Sequence, residues 1–307
     1  MEDRNIIVIG AGPAGLTAGL YLAHYGYDTL IFEEKIPGGN AAEIPLLENF
    51  PGYSEGITGK DFTDKMVMQC KTKGAEIRQF EKVNGLNLQD KKPIVKTDKA
   101  DYSAEAVIIA SGIETKLLEV PGESQFRGKG VSYCAVCDGP FFKGKKVIIV
   151  GENRRAAEVA IFFSGTASQT MLVCEEKKIC AEKILLEDLE KHKVEILSDM
   201  EVKEIKGDIN VKSVVLVDKR TGDTKEIDTD GVFVQLEGIP NSQIARESWI
   251  KVDKDGYILV DSSGRTNINC VYAVGDITSY PAKLVSSAVA QAAAMALDVL
   301  EHIRRHH

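Results

Sequence analysis

The stretch NIIVIGAGPAGLTAGLYLAHYGYDTLIFEE, residues 5–34, contains a complete strand–loop–helix–strand unit. Its loop carries Gly10, Gly12 and Gly15, directly after an apolar strand and at the start of an apolar helix. These glycines permit a tight turn, a close approach of the backbone to a pyrophosphate, and close packing of the helix on the strand. Glu33 ends the second strand, where a carboxylate can accept hydrogen bonds from ribose hydroxyls. The stretch therefore predicts a dinucleotide-binding unit.

The choice between FAD and NAD depends on a second stretch, VYAVGD at 271–276. A strand that ends in Gly-Asp supplies a carboxylate, Asp276, where the ribityl chain of a flavin can bind. Pyridine nucleotides have no such chain. FAD is therefore the predicted cofactor.

Composition excludes several classes of protein. The 307 residues carry a formal net charge of −8, which argues against nucleic acid or an anionic membrane as a partner. The most apolar stretch, 284–300, is interrupted by serine, glutamine and aspartate and predicts a buried helix, not a membrane span. The chain begins with MEDRN and lacks a basic segment before the first apolar run, so we expect a cytoplasmic protein.

Strand-like and helical patterns alternate along the whole chain, which is typical of parallel sheets covered by helices. A second strand–loop–helix–strand pattern lies at 146–174, and the pattern from Tyr257 onward completes the first domain. We predict an α/β fold with two Rossmann-like nucleotide-binding domains, the second inserted into the first. The predicted FAD-binding domain comprises 1–115 and 243–307, and the inserted domain comprises 116–242.

Cys134 and Cys137 form the only C-x-x-C among six cysteines. Two thiols at this spacing can close a small, easily reduced disulfide, and the adjacent Asp138 can move a proton to or from a sulfur. Half of a zinc site is the competing interpretation, but a site built from four cysteines needs a second close pair, so no metal is predicted. Asp138 in D-G-P is also compatible with a plain turn residue.

With these motifs, the chain resembles the low-molecular-weight thioredoxin reductases, which are FAD-dependent disulfide reductases. The matched segments run almost from end to end: GAGPAG (10–15), PGG (37–39), LLENFPGY (46–53), VIIASG (107–112), YCAVCDG (133–139), AEKIL (181–185), GVFV (231–234), IPNS (239–242) and VYAVGD (271–276). The resemblance implies thioredoxin or a thioredoxin-like protein as substrate, a homodimer, and a redox disulfide in the inserted domain.

The resemblance also assigns roles to individual residues. Cys137 would face the flavin, Cys134 would attack the partner disulfide, and Asp138 would be the acid/base. The FAD contacts implied by the matched segments, in addition to the residues above, are Gly39, Asn40, Asn49 and Gly112, with Asn49 near the isoalloxazine ring.

The inserted domain departs from the family where NADPH would bind. The family pattern G-x-G-x-x-A becomes GENRRA at 151–156, with Asn153 in place of the second glycine and Glu152 beside the expected pyrophosphate. The arginine-rich run on the next strand becomes CEEKKIC at 174–180. Guanidinium groups grip a 2′-phosphate, whereas glutamates there repel it at a cost of roughly several kcal/mol. The pattern predicts a domain that keeps the fold but has lost NADPH.

Two alternatives keep a nucleotide in the inserted domain. Glu175 stands where an NAD-specific fold places its ribose-binding acid. Basic side chains nearby could attract phosphate: Arg154, Arg155, Lys177 and Lys178. The same basic residues are also compatible with a solvated surface.

A second departure is Ala282-Lys283-Leu284, where the family has Arg-Gln-Ala. Lys283 is expected either beside the pyrimidine edge of the flavin or in solvent.

Three functions remain open. The first is a disulfide reductase that takes electrons from reduced ferredoxin, docked on a basic patch of Lys143, Lys145, Lys146, Arg154 and Arg155. The second is a thioredoxin reductase that uses NADPH or NADH. The third is a module that binds FAD without turnover, and the intact C-x-x-C-D argues against it. A deazaflavin is a further possible donor.

Overall fold

The computed structural model describes residues 1–44, 46–90, 92–236 and 238–306, and the side chains of residues 115, 136, 137, 305 and 306 lie outside that description. The helices and strands follow one another in this order: β1 (Glu2–Ile9), α1 (Pro13–His24), β2 (Thr29–Glu33), α2 (Gly59–Thr72), β3 (Glu76–Gln79), β4 (Val83–Asn87), β5 (Ile94–Thr97), β6 (Asp101–Ile109), β7 (Ile113–Thr115), β8 (Val131–Ser132), α3 (Ala135–Asp138), β9 (Lys146–Val150), α4 (Arg154–Ser164), β10 (Gln169–Val173), α5 (Lys183–Lys191), β11 (Glu195–Leu197), β12 (Met200–Gly207), β13 (Val211–Asp218), β14 (Thr224–Asp228), β15 (Gly231–Val234), β16 (Gly238–Pro240), α6 (Gln243–Glu247), β17 (Val271–Ala273) and α7 (Val285–His306).

The chain divides into two compact units, one formed by 1–114 and 239–307 and the other by 115–238. The sequence places the second boundary at 242/243. Asn241 lies in the first unit because its N–H donates to Gly112 O at 3.0 Å, and its side-chain amide donates to Ser111 O at 3.1 Å. The strands β7 and β16, where the chain leaves and re-enters the first unit, pair with each other.

The first unit is built on a seven-stranded sheet in the order β3-β2-β1-β6-β5-β4, with β17 also paired to β6. The pairs among β3, β2, β1, β6 and β17 are parallel, while β4 and β5 add an antiparallel edge. Alternate residues of β1 point to opposite faces: Ile6 and Val8 pack into one core cluster, and Ile7 and Ile9 into the other. Both faces are covered, which explains the unbroken apolar run IIVI.

The second unit repeats this plan on a smaller scale. Its parallel sheet has the order β11-β10-β9-β15-β8, and a separate antiparallel sheet has the order β12-β13-β14. On β9, Val147 and Ile149 belong to one core cluster and Ile148 and Val150 to the other. The predicted α/β fold with two Rossmann-like units is therefore confirmed. No helix in the described ranges is long and apolar enough to span a bilayer.

Candidate active site

The glycine loop of the first unit joins β1 to α1. Gly10 has a φ of +102°, and a Cβ atom there would lie 2.4 Å from Ala110 O. A Cβ atom on Gly15 would lie 1.9 Å from Gly10 O, so the helix approaches the loop as closely as two backbones can. Gly12 differs, because the nearest atom to its would-be Cβ is Gly39 Cα at 4.0 Å. Backbone at Gly12 is therefore open to a ligand.

The start of α1 is also open, because no side chain of the described residues caps this helix and Gly12 holds its N-cap position. Glu33 lies beside the loop, where one carboxylate oxygen accepts from Ala11 N at 2.8 Å and the other from Lys35 N at 2.9 Å. An ionised carboxylate has about four acceptor positions, so Glu33 keeps capacity for ribose hydroxyls. Uncapped helix N–H groups beside an acid with spare acceptors match the adenosine diphosphate part of FAD.

Two further segments close on the same loop. The Gly38 N–H donates to Ala11 O at 2.8 Å, which brings Gly39 against Gly12. The side-chain amide of Asn40 donates to Ile113 O at 2.8 Å and so ties this turn to the chain beside Gly112. Glycines 39 and 112 have φ values of +55° and +64°. The structure thus brings Gly39, Asn40 and Gly112 to the N-terminus of α1.

The segment that carries Asp276 packs on the other side of this helix start. A Cβ atom on Gly275 would lie 2.8 Å from the Ala14 Cβ. Asp276 is partly buried, and burial raises the pKa of its carboxyl group, against the opposing effect of the Lys283 ammonium. Asp276 therefore lies beside the same helix start as the loop glycines, although it follows Gly15 by 261 positions in the sequence (276 − 15).

Lys283 does not point into solvent. Its ammonium donates to Asp276 O at 3.1 Å and to Thr278 O, and it lies 4.0 Å from the centroid of the Tyr257 ring. Burial lowers the pKa of this ammonium, while Asp276 and Asp253 act in the opposite direction. Lys283 therefore braces the turn that presents Asp276, and the expectation of a solvated lysine is wrong.

The dithiol segment lies in the second unit, between β8 and β9. Cys134 is disulfide-bonded, whereas Cys70, Cys174, Cys180 and Cys270 are free. Ser132 Oγ accepts from Cys134 N at 3.1 Å, and Asp138 N donates to Cys134 O at 3.1 Å across the single turn of α3. The side chain of Cys137 lies outside the described residues, so its predicted place against the flavin stays a prediction.

The loop of the second unit has a different structure at its helix start. Asn153 caps α4: its Oδ1 accepts from Ala156 N at 2.9 Å, and its Nδ2 donates to Gln235 O at 2.8 Å. The carbonyl of Glu152 accepts from Cys180 N at 2.5 Å. The chain's own Asn153 side chain therefore satisfies one of the helix N–H groups, that of Ala156, which a pyrophosphate could otherwise use.

Carboxylates dominate the surroundings of this second loop. Glu152 Oε2 is buried and has no hydrogen-bond partner among the described residues. Burial raises the pKa of the neighbouring Cys174 thiol to about 12, and the Glu152 charge acts in the same direction. Glu175 pairs with Lys219 at 3.6 Å, with both side chains partly exposed.

Of the predicted phosphate attractors, Arg154 is engaged inside the unit. Its Nε contacts Glu158 at 2.7 Å, and its Nη1 contacts Glu182. These two ion pairs compete with a phosphate for the Arg154 guanidinium, and a phosphate contact of Arg154 stays a prediction. Lys177 and Lys178 are exposed.

A family model for pyridine nucleotide-disulphide oxidoreductases matches residues 4–292. The chain belongs to this family. Within it, a thioredoxin reductase of Bacillus subtilis is 36% identical over 301 residues, which cover 97% of this chain and 94% of that protein.

Two solved structures extend the comparison. The thioredoxin reductase of T. acidophilum has a TM-score of 0.94 and 34% identity, covering 99% of this chain and 100% of that one. A ferredoxin-flavin thioredoxin reductase of Clostridium acetobutylicum has a TM-score of 0.54 and 31% identity, covering 99% of each chain. The resemblance inferred from the motifs is therefore confirmed. The prediction of FAD as the cofactor is confirmed as well, because the thioredoxin reductases of this family are FAD-binding flavoproteins.

The structure also shows residues around the candidate FAD site that were not predicted from the sequence. Tyr257 supplies the ring beneath Lys283 and carries no local motif. Gly275 fits against Ala14, and only its place in VYAVGD hinted at this. Asn49 is exposed on the loop 48–56, and its proximity to the flavin stays a prediction.

The open backbone at Gly12 leads to a testable expectation. Gly12→Ala places a Cβ at ordinary contact distance from Gly39, so folding is retained, but the methyl group obstructs the pyrophosphate. We expect at least about a tenfold loss of FAD affinity, or about 1.4 kcal/mol, measured by flavin fluorescence on reconstituting the apoprotein.

The matched control is Gly85→Ala. Gly85 lies in β4, and no atom lies within 4 Å of its would-be Cβ. This variant should bind FAD as the wild type does. Wild-type FAD affinity in Gly12→Ala would show that the pyrophosphate lies elsewhere.

Proposed function

We propose that this protein is an FAD-dependent disulfide reductase that reduces thioredoxin through Cys134 and Cys137 with electrons from reduced ferredoxin. FAD binds in the first unit through Gly10, Gly12, Gly15, Glu33, Gly39, Asn40, Asn49, Gly112, Asp276 and Lys283. The protein acts as a homodimer in the cytoplasm. The single observation that carries the choice of donor is the contrast between its two helix starts.

The two helix starts differ in which groups satisfy their N–H donors. In α1 the N-cap is Gly12 and no described side chain caps the helix, so its N–H groups can bind a pyrophosphate. In α4 the Asn153 side chain takes this role. A nicotinamide dinucleotide would have to displace Asn153 from both Ala156 and Gln235, at about 1 kcal/mol for each hydrogen bond.

The charges around the second loop also disfavour a nicotinamide dinucleotide. A phosphate at the second loop would meet the Glu152 carboxylate, and Arg154 is already shared by Glu158 and Glu182. Burial also raises the pKa of Glu158, against the effect of Arg154, which indicates how little solvent screens this cluster. Juxtaposed like charges cost roughly several kcal/mol, so we expect the affinity for NADPH to fall by about a thousandfold or more.

The alternative is a reductase that uses NADPH or NADH. Glu175 follows β10, where an acid would hold the ribose of NAD, and this position favours NADH over NADPH. Against it, Glu175 already pairs with Lys219, and Asn153 blocks both nucleotides equally.

The chemistry that FAD supplies when bound is electron exchange, one electron at a time with a ferredoxin or two with a disulfide. The Cys134–Cys137 disulfide takes up two electrons and two protons and becomes a dithiol. The Cys134 thiolate then attacks a sulfur of the thioredoxin disulfide, and Cys137 displaces thioredoxin from the mixed disulfide. Asp138, the next residue, holds the proton that Cys137 gains or loses. Two reduced ferredoxins balance each thioredoxin disulfide.

The relatives support both the thioredoxin substrate and the ferredoxin donor of the proposal. The B. subtilis relative is a thioredoxin reductase, and one structural neighbour is a ferredoxin-flavin thioredoxin reductase.

The docking surface for ferredoxin should be basic. Ferredoxins are as a rule acidic proteins, so we expect a locally basic surface on a chain whose net charge is −8. Lys143, Lys145 and Lys146 are exposed beside the dithiol segment. Arg154 drops out of the predicted patch because it is paired.

The test is anaerobic reduction of the bound flavin, followed by its absorbance, with NADPH, NADH or reduced ferredoxin added separately. We expect ferredoxin to bleach the flavin within seconds and either nucleotide at about 1 mM to leave it oxidised for minutes. A fast, saturable loss of absorbance with micromolar NADPH would contradict the proposal.

A pair of charge-reversed variants sharpens the same experiment. Glu175→Arg with Glu176→Arg restores basic groups but leaves Asn153 on α4, so its reaction with NADPH should stay weak. Adding Asn153→Gly uncaps the helix and should increase that reaction by about tenfold or more. The fold should be retained, because replacing an N-cap Asn by Gly lowers stability by only a few tenths of a kcal/mol.

A further inference from the structure

Tyr133 immediately precedes Cys134 and is held at both of its ends. Its phenol donates to Glu123 Oε1 at 2.9 Å. Its carbonyl accepts from Gln235 Nε2 at 3.2 Å. The residue that leads into the redox disulfide is therefore held by one hydrogen bond on its side chain and one on its backbone, and the Arg127 guanidinium lies 5.0 Å from the centroid of its ring.

Glu123 is a buried carboxylate that is satisfied entirely from inside the second unit. It is only 5% exposed, and besides Tyr133 it accepts from Leu118 N at 2.9 Å and Glu119 N at 2.7 Å. Burial, followed by the hydrogen bond to Glu123, raises the pKa of the Tyr133 phenol, so Tyr133 remains a donor at all working pH values. A buried charge with three donors holds its partners firmly.

Gln235 connects Tyr133 to the second nucleotide loop. It is 1% exposed, its backbone N–H donates to Val150 O at 2.7 Å, and its carbonyl accepts from Asn153 Nδ2 at 2.8 Å. A chain of hydrogen bonds thus runs from Asn153 through Gln235 to Tyr133 and on to the peptide of Cys134. Asn153, which caps α4 in place of a nucleotide phosphate, is therefore also connected to the dithiol segment through Gln235 and Tyr133.

We propose that Tyr133 is a positioning residue for Cys134, clamped by Glu123 at its phenol and by Gln235 at its carbonyl. This proposal rests on the proposed function, because it concerns the Cys134–Cys137 dithiol. When Cys134 is held in place, the effective concentration of its sulfur at the Cys137 sulfur is higher. A higher effective concentration favours the closed Cys134–Cys137 disulfide over the dithiol. Loosening either end should shift the equilibrium toward the dithiol.

The measurement is the equilibrium of the holoprotein with dithiothreitol. In this exchange the protein disulfide gains two electrons and two protons, and dithiothreitol loses them and cyclises to its own disulfide. Acid quenching, alkylation and mass spectrometry count the thiols in each state. The free cysteines contribute the same background to both.

Tyr133→Phe removes the phenol–carboxylate hydrogen bond and retains the ring. We expect the equilibrium constant for closing the disulfide to fall about threefold to tenfold, and tenfold corresponds to about 30 mV for a two-electron couple. The matched control is Tyr102→Phe. Tyr102 makes the same kind of bond, to Glu81 Oε1 at 2.9 Å, and its phenol oxygen also accepts from Arg78 Nη1 at 2.6 Å, but it lies in the first unit. The control should lower the melting temperature by a similar amount and leave the dithiol equilibrium within about twofold of wild type.

Gln235→Met tests the other end of the clamp and guards against a loss of folding. Gln235 Oε1 is buried with no hydrogen-bond partner among the described residues, so methionine removes an unsatisfied polar atom and keeps the volume. Methionine also removes the Nε2 donor to Tyr133 O, so the two effects on stability should offset, and we expect a melting temperature close to that of the wild type together with a weaker disulfide. A merely structural role would move stability and equilibrium together.

Two outcomes would overturn the positioning role: wild-type equilibria in both Tyr133→Phe and Gln235→Met, or an equal shift in Tyr102→Phe. A wild-type protein without a reversible pair of thiols would instead refute the proposed function, and the positioning role with it.

Discussion

Cys137→Ser is expected to lower thioredoxin reduction by about a thousandfold or more, because removal of one group from a set that acts as a unit abolishes most of the catalysis. Cys134 remains free to attack the thioredoxin disulfide, but no thiol is left to resolve the mixed disulfide. The variant should therefore accumulate a covalent complex with thioredoxin, visible on a non-reducing gel and lost on adding dithiothreitol.

Cys134→Ser should lose activity to the same extent without forming that complex, because the attacking sulfur is gone. The control is Cys180→Ser, which changes an exposed free thiol of the same unit and should keep wild-type activity. If Cys134→Ser trapped thioredoxin and Cys137→Ser did not, the two cysteines would have exchanged roles. Wild-type rates in both variants would refute the assigned chemistry.

Features that lie within one contiguous stretch could be predicted from the sequence. The first 34 residues contain the strand, the glycine loop, the helix and Glu33, and the structure brings Glu33 onto the loop at Ala11. The second strand–loop–helix–strand pattern, predicted at 146–174, corresponds to β9, α4 and β10, because apolar periodicity is a local signal. The second unit was also recognisable as a nucleotide-binding fold with an altered loop.

Contacts between distant residues were not predictable in the same way. Lys283 was expected either near the flavin or in solvent, and its bonds to the carbonyls of residues 276 and 278 over Tyr257 exclude only the solvent alternative. Arg154 was a candidate phosphate ligand, but Glu182, 28 residues away, occupies it. The sequence indicated Asn153 as an obstacle to the pyrophosphate, but its hydrogen bond to Gln235, 82 residues away, could not be predicted. No periodicity or motif encodes which chemically suitable partner a side chain finds after folding.

A related limit applies to the end of the inserted unit. The sequence IPNS has the composition of a breaker-rich connection, and it placed the return to the first domain after Ser242. The β7–β16 pairing and the Asn241 hydrogen bonds to Ser111 and Gly112 move it to Ile239. These contacts join segments more than about 120 residues apart, so turn propensity alone could not locate the boundary.

The donor prediction has the other large expected effect. Because Asn153 closes the second helix start and carboxylates surround it, reduced ferredoxin should sustain thioredoxin reduction at least about a hundredfold faster than NADPH or NADH. The ferredoxin rate should also fall as salt rises, because exposed charges on the dock are screened over about 10 Å at 0.1 M ionic strength. Lys143→Glu with Lys146→Glu should lower it further, while Lys191→Glu, on the exposed face of α5, serves as the control.

The most direct measurement is therefore anaerobic thioredoxin turnover with each donor in parallel, on the wild-type holoprotein and at two salt concentrations. The account predicts turnover with reduced ferredoxin alone, a lower rate at the higher salt concentration, and no more than background with NADPH or NADH. Turnover with NADPH in the absence of ferredoxin, and none with ferredoxin, would contradict it.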